Sequence, residues 1–218
     1  MLTVALPTGR SFPEAADLLA SAGLPTTSLA STGRRLVLEE GGFRYILAKP
    51  SDVPLYVSRG AADLGFAGGD VLQESSLPLV EILDTGRSRC RIVVAGPAQQ
   101  APRFSGHRSE LMGLRVATKY PRIADAHFSR KGVQVDVICL NGSIELAPSL
   151  GLSDCILDIV QTGSTLRANG LQEFEFVAEV SMRLVAGRRS ATLRRAEIVR
   201  ISDAIEEVCI RERPAVGI

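Results

Sequence analysis

The segment Asp154-Cys155-Ile156-Leu157-Asp158-Ile159-Val160-Gln161-Thr162-Gly163-Ser164-Thr165-Leu166 sets two carboxylates in an apolar run and follows them with a glycine among hydroxyls. Residues i and i+4 of a strand lie on one side, so the spacing predicts that Asp154 and Asp158 project together. A helix is expected to start at Thr162-Gly163-Ser164-Thr165, where free backbone N–H groups, the positive end of the helix dipole and three hydroxyls form a cradle for an anion. That pairing suits a phosphorylated sugar, whose 2- and 3-hydroxyls donate to the carboxylates while its 5-phosphate lies on the turn. A plainer reading makes Thr162 or Ser164 a helix cap and the aspartates solvated strand ends. Unpaired carboxylates in an apolar strand are costly without donors or a ligand, which favours sugar-phosphate binding.

Other reactive groups are sparse. His107 and His127 fit no zinc-like spacing, none of Cys90, Cys139, Cys155 and Cys209 forms a C-x-x-C pair, and no metal-ligating set is expected. Three of the cysteines have apolar neighbours, as in Val137-Ile138-Cys139-Leu140 and Cys155-Ile156-Leu157, so buried, reduced thiols are expected. Of 25 basic residues only Lys49, Lys119 and Lys131 are lysines; the 22 arginines are dispersed and, against 24 acids, leave a net charge of +1. Without a basic stripe or any Trp the chain is a poor candidate for nucleic-acid binding. The 45% apolar and 22% charged content of the 218 residues excludes disorder and supports one large or two small cores without disulfides. No uncharged apolar run approaches the roughly 18 residues of a membrane span. No charged leader precedes Leu2-Thr3-Val4-Ala5-Leu6, so a soluble, cytoplasmic chain is expected.

The elements that must hold these residues alternate between short apolar runs and amphipathic stretches, which predicts an α/β fold. Strands are expected at 2–6, 44–48, 63–67, 79–83, 91–95, 114–118, 133–140, 154–160, 174–180 and 182–186, with helices between most of them. Gly96 to Ser105 reads as a surface loop, and Ala191 to about Arg211 as one final helix, with Ile198, Ile201, Ile205 and Val208 on its inner face. The pattern fits two α/β lobes joined by more than one strand, residues 1–88 plus 183–218 in one and 89–182 in the other.

The Asp154–Leu166 segment resembles the phosphoribosyl-pyrophosphate motif of phosphoribosyltransferases. Its variant, with Leu157 before Asp158 and the other acid at Asp154, is similar to that of the ATP phosphoribosyltransferase family, which opens histidine biosynthesis. Further stretches agree: Leu6-Pro7-Thr8-Gly9-Arg10, Arg34-Arg35-Leu36-Val37, Lys49-Pro50-Ser51-Asp52-Val53-Pro54, Asp63-Leu64-Gly65 with Gly69-Asp70, and Cys90-Arg91. Arg115 to Pro121 and Gly142 to Pro148 extend the resemblance, which runs from residue 1 to about 186. Thr8 stands where the family usually has a basic residue, and Lys49 where it often has Arg.

The resemblance implies that adenine N1 of ATP attacks the anomeric carbon of phosphoribosyl pyrophosphate, with inversion and loss of pyrophosphate. The nucleophile already has a lone pair, so no base-activated triad is required. The barrier lies in parting a sugar cation from a highly charged leaving group, which positioning, carboxylates near the sugar and cations on the pyrophosphate would lower. Asp158 and Asp154 are the expected catalytic residues, and with Thr162, Gly163, Ser164 and Thr165 they bind the sugar substrate. Gly9, Arg10, Arg34, Lys49, Asp70, Lys119, Tyr120 and Glu145 are expected at the pyrophosphate and ATP; a solvated arginine, an ordinary turn or a helix cap is the plainer account of several of them. Mg²⁺ is expected to arrive on the substrate phosphates.

The resemblance further implies two lobes like those of periplasmic solute-binding proteins, with the active site in the inter-lobe cleft. Only about thirty residues follow Ala186, too few for an appended regulatory domain. The expectation is therefore a short catalytic form, a homodimer within a hetero-oligomer whose regulatory subunit resembles histidyl-tRNA synthetase. A non-enzymatic solute-binding protein and a different phosphoribosyltransferase are the rival readings.

Overall fold

The structure, a computed structural model, describes residues 1–212. It divides into two compact units, Met1–Ser88 with the chain from Ser181 onward, and Arg89–Val180. The chain returns to the first unit at Ser181. Met182 opposes Gly68 and the Ser181 carbonyl accepts the Gly69 N–H at 2.9 Å, which ties both residues to the first unit.

The first unit begins with β1 (Leu2–Pro7), α1 (Phe12–Ser21), β2 (Val37–Glu40), β3 (Phe43–Ala48), α2 (Val53–Ser58), β4 (Leu64–Gly68), α3 (Gly69–Ser75) and β5 (Leu79–Asp84). The second holds β6 (Cys90–Pro97), α4 (Ala101–Ser105), β7 (Arg115–Thr118), α5 (Pro121–Arg130), β8 (Asp136–Cys139), α6 (Leu146–Ser149), β9 (Cys155–Val160), α7 (Ser164–Ala168) and β10 (Leu171–Val180). The chain returns to the first unit as β11 (Met182–Gly187), α8 (Arg188–Leu193) and α9 (Arg195–Glu212).

The first sheet runs β2-β3-β1-β4-β11-β5, with β3, β1 and β4 parallel. Parallel strands covered on both faces read as continuous apolar runs, and β1 does: Leu2, Val4 and Leu6 join one core, Ala5 the other. The larger core packs Ile198, Ile201, Ile205 and Val208 of α9 with Leu18 and Leu19 of α1. Burying each such side chain contributes about 1.5–3 kcal/mol. On the opposite face α2 lies against bare backbone. A Cβ at Gly65 would come within 2.7 Å of Val57 and 2.9 Å of Val53, so glycine is what admits the helix.

The second sheet runs β10-β6-β9-β7-β8, with β7, β8 and β9 parallel and β6 antiparallel to both of its neighbours. Alternation along β9 divides its side chains. Cys155 and Leu157 pack with Ile123, Ala124 and Phe128 of α5, whereas Ile156 and Val160 pack with Ala147 of α6 and Leu166 of α7.

Three elements depart from the sequence reading. β2 is not announced by the sequence, because only Leu38 of its four residues is buried and its pattern is that of an edge. The expected loop after β6 contains α4, whose Phe104 stacks on Phe174 at 4.6 Å. The final helix is two helices, broken at Arg194, where φ is −117° and ψ is 25°. The expectation of buried thiols holds for Cys155 and Cys209 but fails for Cys139, which is exposed at the end of β8. No helix among the described residues is long and apolar enough to cross a membrane.

Candidate active site

β9 ends at Val160, and the chain turns through Gln161, Thr162 and Gly163 into α7. Gly163 has φ +73°, a conformation that costs other residues a Cβ clash. Its neighbours Thr162, Ser164 and Thr165 are exposed, with the Thr162 and Ser164 hydroxyl oxygens 3.0 Å apart. α7 has only five residues, so the donors offered to an anion are its first N–H groups and the hydroxyls rather than a strong macrodipole. Asp158 lies half-buried near the end of the same strand, and its Oδ1 accepts the Ile159 N–H at 2.8 Å.

Asp154 does not stand where the strand spacing predicts. It precedes β9 and stands about 13 Å from Asp158 by four strand rises. It is at the opposite edge of the sheet from the turn, where β7 and β9 begin side by side. Arg115, the first residue of β7, donates its backbone N–H to Asp154 Oδ2 at 2.9 Å and its Nη2 to Oδ1 at 2.9 Å. Burial pushes the carboxyl up, but these bonds and the Arg115 charge outweigh it and hold its pKa below the usual carboxylate value. Shared strand parity says nothing of the distance along the strand. Asp154 fastens the strand starts together and does not join Asp158 at the turn.

Parallel pairing assembles the other candidates. Thr118 of β7 stands opposite Cys139 of β8 and Leu157 of β9, so the chain leaves all three strands at one edge. That edge carries Lys119 and Tyr120, the loop leading to Glu145, and Thr162–Thr165. Ligands of open α/β sheets bind outside these carboxyl ends. The Lys119 ammonium sits 4.7 Å from the centroid of the Tyr120 ring, and the half-buried Glu145 precedes α6.

In the first unit the exits of β1, β3 and β4 likewise share an edge, where the Thr8 N–H donates to the Ala48 carbonyl at 2.7 Å. Gly9, Arg10, Lys49 and Asp70 follow those exits. Arg34 reaches the same edge because β2 starts beside the end of β3, with the Leu47 N–H donating to the Leu36 carbonyl at 2.8 Å. Arg34 and Lys49 are exposed. Asp70 differs from its neighbours. It is 6% exposed with its carboxylate folded over Gly68, where any Cβ would collide with it, so it shapes the exit of β4.

Two features escaped the sequence reading. Thr118, fully buried, donates its hydroxyl to the Leu157 carbonyl at 2.7 Å and accepts the Tyr120 N–H at 2.9 Å, which fixes the direction of the exit at Lys119. Arg91 of β6 grips Glu173 of β10 with bonds of 2.7 and 2.9 Å close to Gly163. A threonine ending a strand was the only local signal for the first, and the second spans 82 residues of sequence.

The alkanesulfonate-binding protein SsuA from Xanthomonas axonopodis pv. citri matches with a TM-score of 0.57 at 14% identity, covering 97% of this chain and 75% of that one. Much closer is an ATP phosphoribosyl transferase (HisG:HisZ) complex from Thermotoga maritima, with a TM-score of 0.81 at 30% identity over 97% of this chain and 100% of that one. The family model for ATP phosphoribosyltransferase matches residues 49–207. ATP phosphoribosyltransferases from Sorangium cellulosum and Geobacillus kaustophilus are 50% and 47% identical, over 98% and 95% of this chain and 95% and 98% of theirs.

The chain belongs to the ATP phosphoribosyltransferase family. It is a glycosyltransferase that joins N1 of ATP to phosphoribosyl pyrophosphate, releasing pyrophosphate in the first step of histidine biosynthesis.

Proposed function

We propose that the exit of β9 is the phosphoribosyl site of this reaction, with Asp158 holding the ribose hydroxyls and Thr162–Thr165 holding the 5-phosphate. The observation that carries the reading is a half-buried carboxylate near the end of β9, shortly before a buried glycine whose hydroxyl-bearing neighbours Thr162, Ser164 and Thr165 are exposed. A carboxylate at that place also stabilises positive charge as the anomeric carbon parts from pyrophosphate, while the bound hydroxyls keep the sugar aimed at adenine N1. No proton has to leave the nucleophile, so the site needs placement and charge rather than a general base.

Gly9, Arg10, Arg34 and Lys49 of the first unit, and Lys119, Tyr120 and Glu145 of the second, are proposed to serve the pyrophosphate and ATP. The departing pyrophosphate develops negative charge, which guanidinium and ammonium groups offset. Mg²⁺ belongs to this reading as part of the substrate, bound by phosphate oxygens and water. The described residues contain no group of three or more His, Cys, Asp or Glu side chains able to hold a metal ion. We further propose a homodimer that works with a regulatory subunit resembling histidyl-tRNA synthetase; the Thermotoga maritima neighbour is itself a HisG:HisZ complex.

Asp158→Asn tests the assignment. Turnover is expected to fall at least tenfold with an unchanged melting temperature, because the amide keeps the shape and loses the charge. Unchanged steady-state kinetics would remove Asp158 from the reaction.

A further inference from the structure

The glycine turn also carries a cation, Arg167. Arg167 is the fourth residue of α7, where its N–H donates to the Gly163 carbonyl at 3.1 Å. Helical side chains lean toward the N-terminus, and here the guanidinium reaches back to the turn itself. Arg167 Nη1 lies 3.0 Å from the point a Gly163 Cβ would occupy. The missing side chain at 163 thus leaves the space in which the guanidinium rests.

That placement runs against simple electrostatics. A cation suits the carboxyl end of a helix, and the Arg167 backbone is there, yet its charged group reaches the N-cap residue Gly163 at the other end. Arg167 is exposed and forms no ion pair among the described residues. Glu173 is close, with Oε1 3.6 Å from the same point, but Arg91 engages both of its oxygens at 2.7 and 2.9 Å. The carboxylate at the turn is thereby engaged by Arg91, and the guanidinium rests over Gly163, whose neighbours Thr162, Ser164 and Thr165 carry hydroxyls.

Resting on the reading of this turn as the phosphoribosyl cradle, we infer that Arg167 binds the 5-phosphate of the sugar substrate, and that Arg91 is a positioning residue that keeps Glu173 from capturing it. N–H groups and hydroxyls supply partial charges only. A phosphate dianion also calls for a full positive charge, and a guanidinium presents two parallel donors to its oxygens.

Ribose 5-phosphate, used as a competitive inhibitor against phosphoribosyl pyrophosphate, reads this grip without the pyrophosphate. Arg167→Gln is expected to raise its Ki, and KM for phosphoribosyl pyrophosphate, about tenfold or more, with KM for ATP within twofold. Arg167→Lys recovers part of the loss. Arg91→Gln weakens ribose 5-phosphate as well, and adding Glu173→Gln restores it, which loss of a merely structural ion pair would not do. Thr165→Val, on an exposed hydroxyl, tests the cradle itself. An unchanged Ki for Arg167→Gln beside a raised Ki for Thr165→Val would overturn the role of Arg167 alone. Unchanged values in both would overturn the cradle too, and a parallel rise in KM for ATP would reduce Arg167 to a structural residue.

Discussion

Asp154 and Asp158 are the same residue type four positions apart, yet their partners give them different work. Asp154 accepts bonds from Arg115, and Glu175 accepts them from His127 at 2.9 Å and from Lys131. Burial raises both carboxyls, and the hydrogen bonds they accept and the charges beside them more than reverse it, so both titrate below their ordinary values. A carboxylate whose folded pKa is depressed adds stability above its unfolded pKa, near 4, and that stability is lost as pH falls through the folded pKa. Thermal melts between pH 7 and pH 3 should show this loss, and it should shrink in Asp154→Asn. At pH 7 that variant is expected to cost about 1 kcal/mol, since Arg115 is partly exposed, while leaving KM for phosphoribosyl pyrophosphate within twofold. A large kinetic effect would return Asp154 to the reaction. Residue types and spacing made Asp158 and the glycine turn legible in the sequence. They could not show that Asp154 falls just outside its strand, because its partner is 39 residues away.

Among the elements, the turn between β9 and α7 is the one most exposed to a single substitution. Gly163→Val places a branched side chain at φ +73° and against Arg167. A stability cost of about 1–2 kcal/mol is expected from the backbone alone. Calorimetry should find no binding of phosphoribosyl pyrophosphate; normal affinity in a folded protein would contradict the cradle. Apolar periodicity revealed the strands of both parallel cores, because buried strands carry unbroken Val, Ile and Leu. It failed where burial is partial. β2 exposes Val37 and Glu39, and α4 turns only Phe104 firmly inward against Phe174. Arg194 breaks the last helix by backbone angle, with no Gly or Pro to announce it.

For the molecule as a whole, the order of strands decides which candidates share a neighbourhood. The exits of three parallel strands in each sheet gather residues separated by tens of positions, which no linear motif displays. The proposed homodimer and its regulatory subunit are tested by mass measurement. The chain alone should run at twice its 23.3 kDa, and a subunit resembling histidyl-tRNA synthetase should shift it to a larger complex. A lone, fully active 23.3 kDa species would refute both.

β11 lies between β4 and β5, and among the described residues β5 pairs with no other strand. On the ribosome, β5 therefore emerges nearly a hundred residues before its neighbour and waits with both edges bare. The uninterrupted stretch Arg89–Val180 has all its strands by then. The middle of this polypeptide can finish folding before its beginning, and the nascent N-terminal half is the part most in need of shelter during translation.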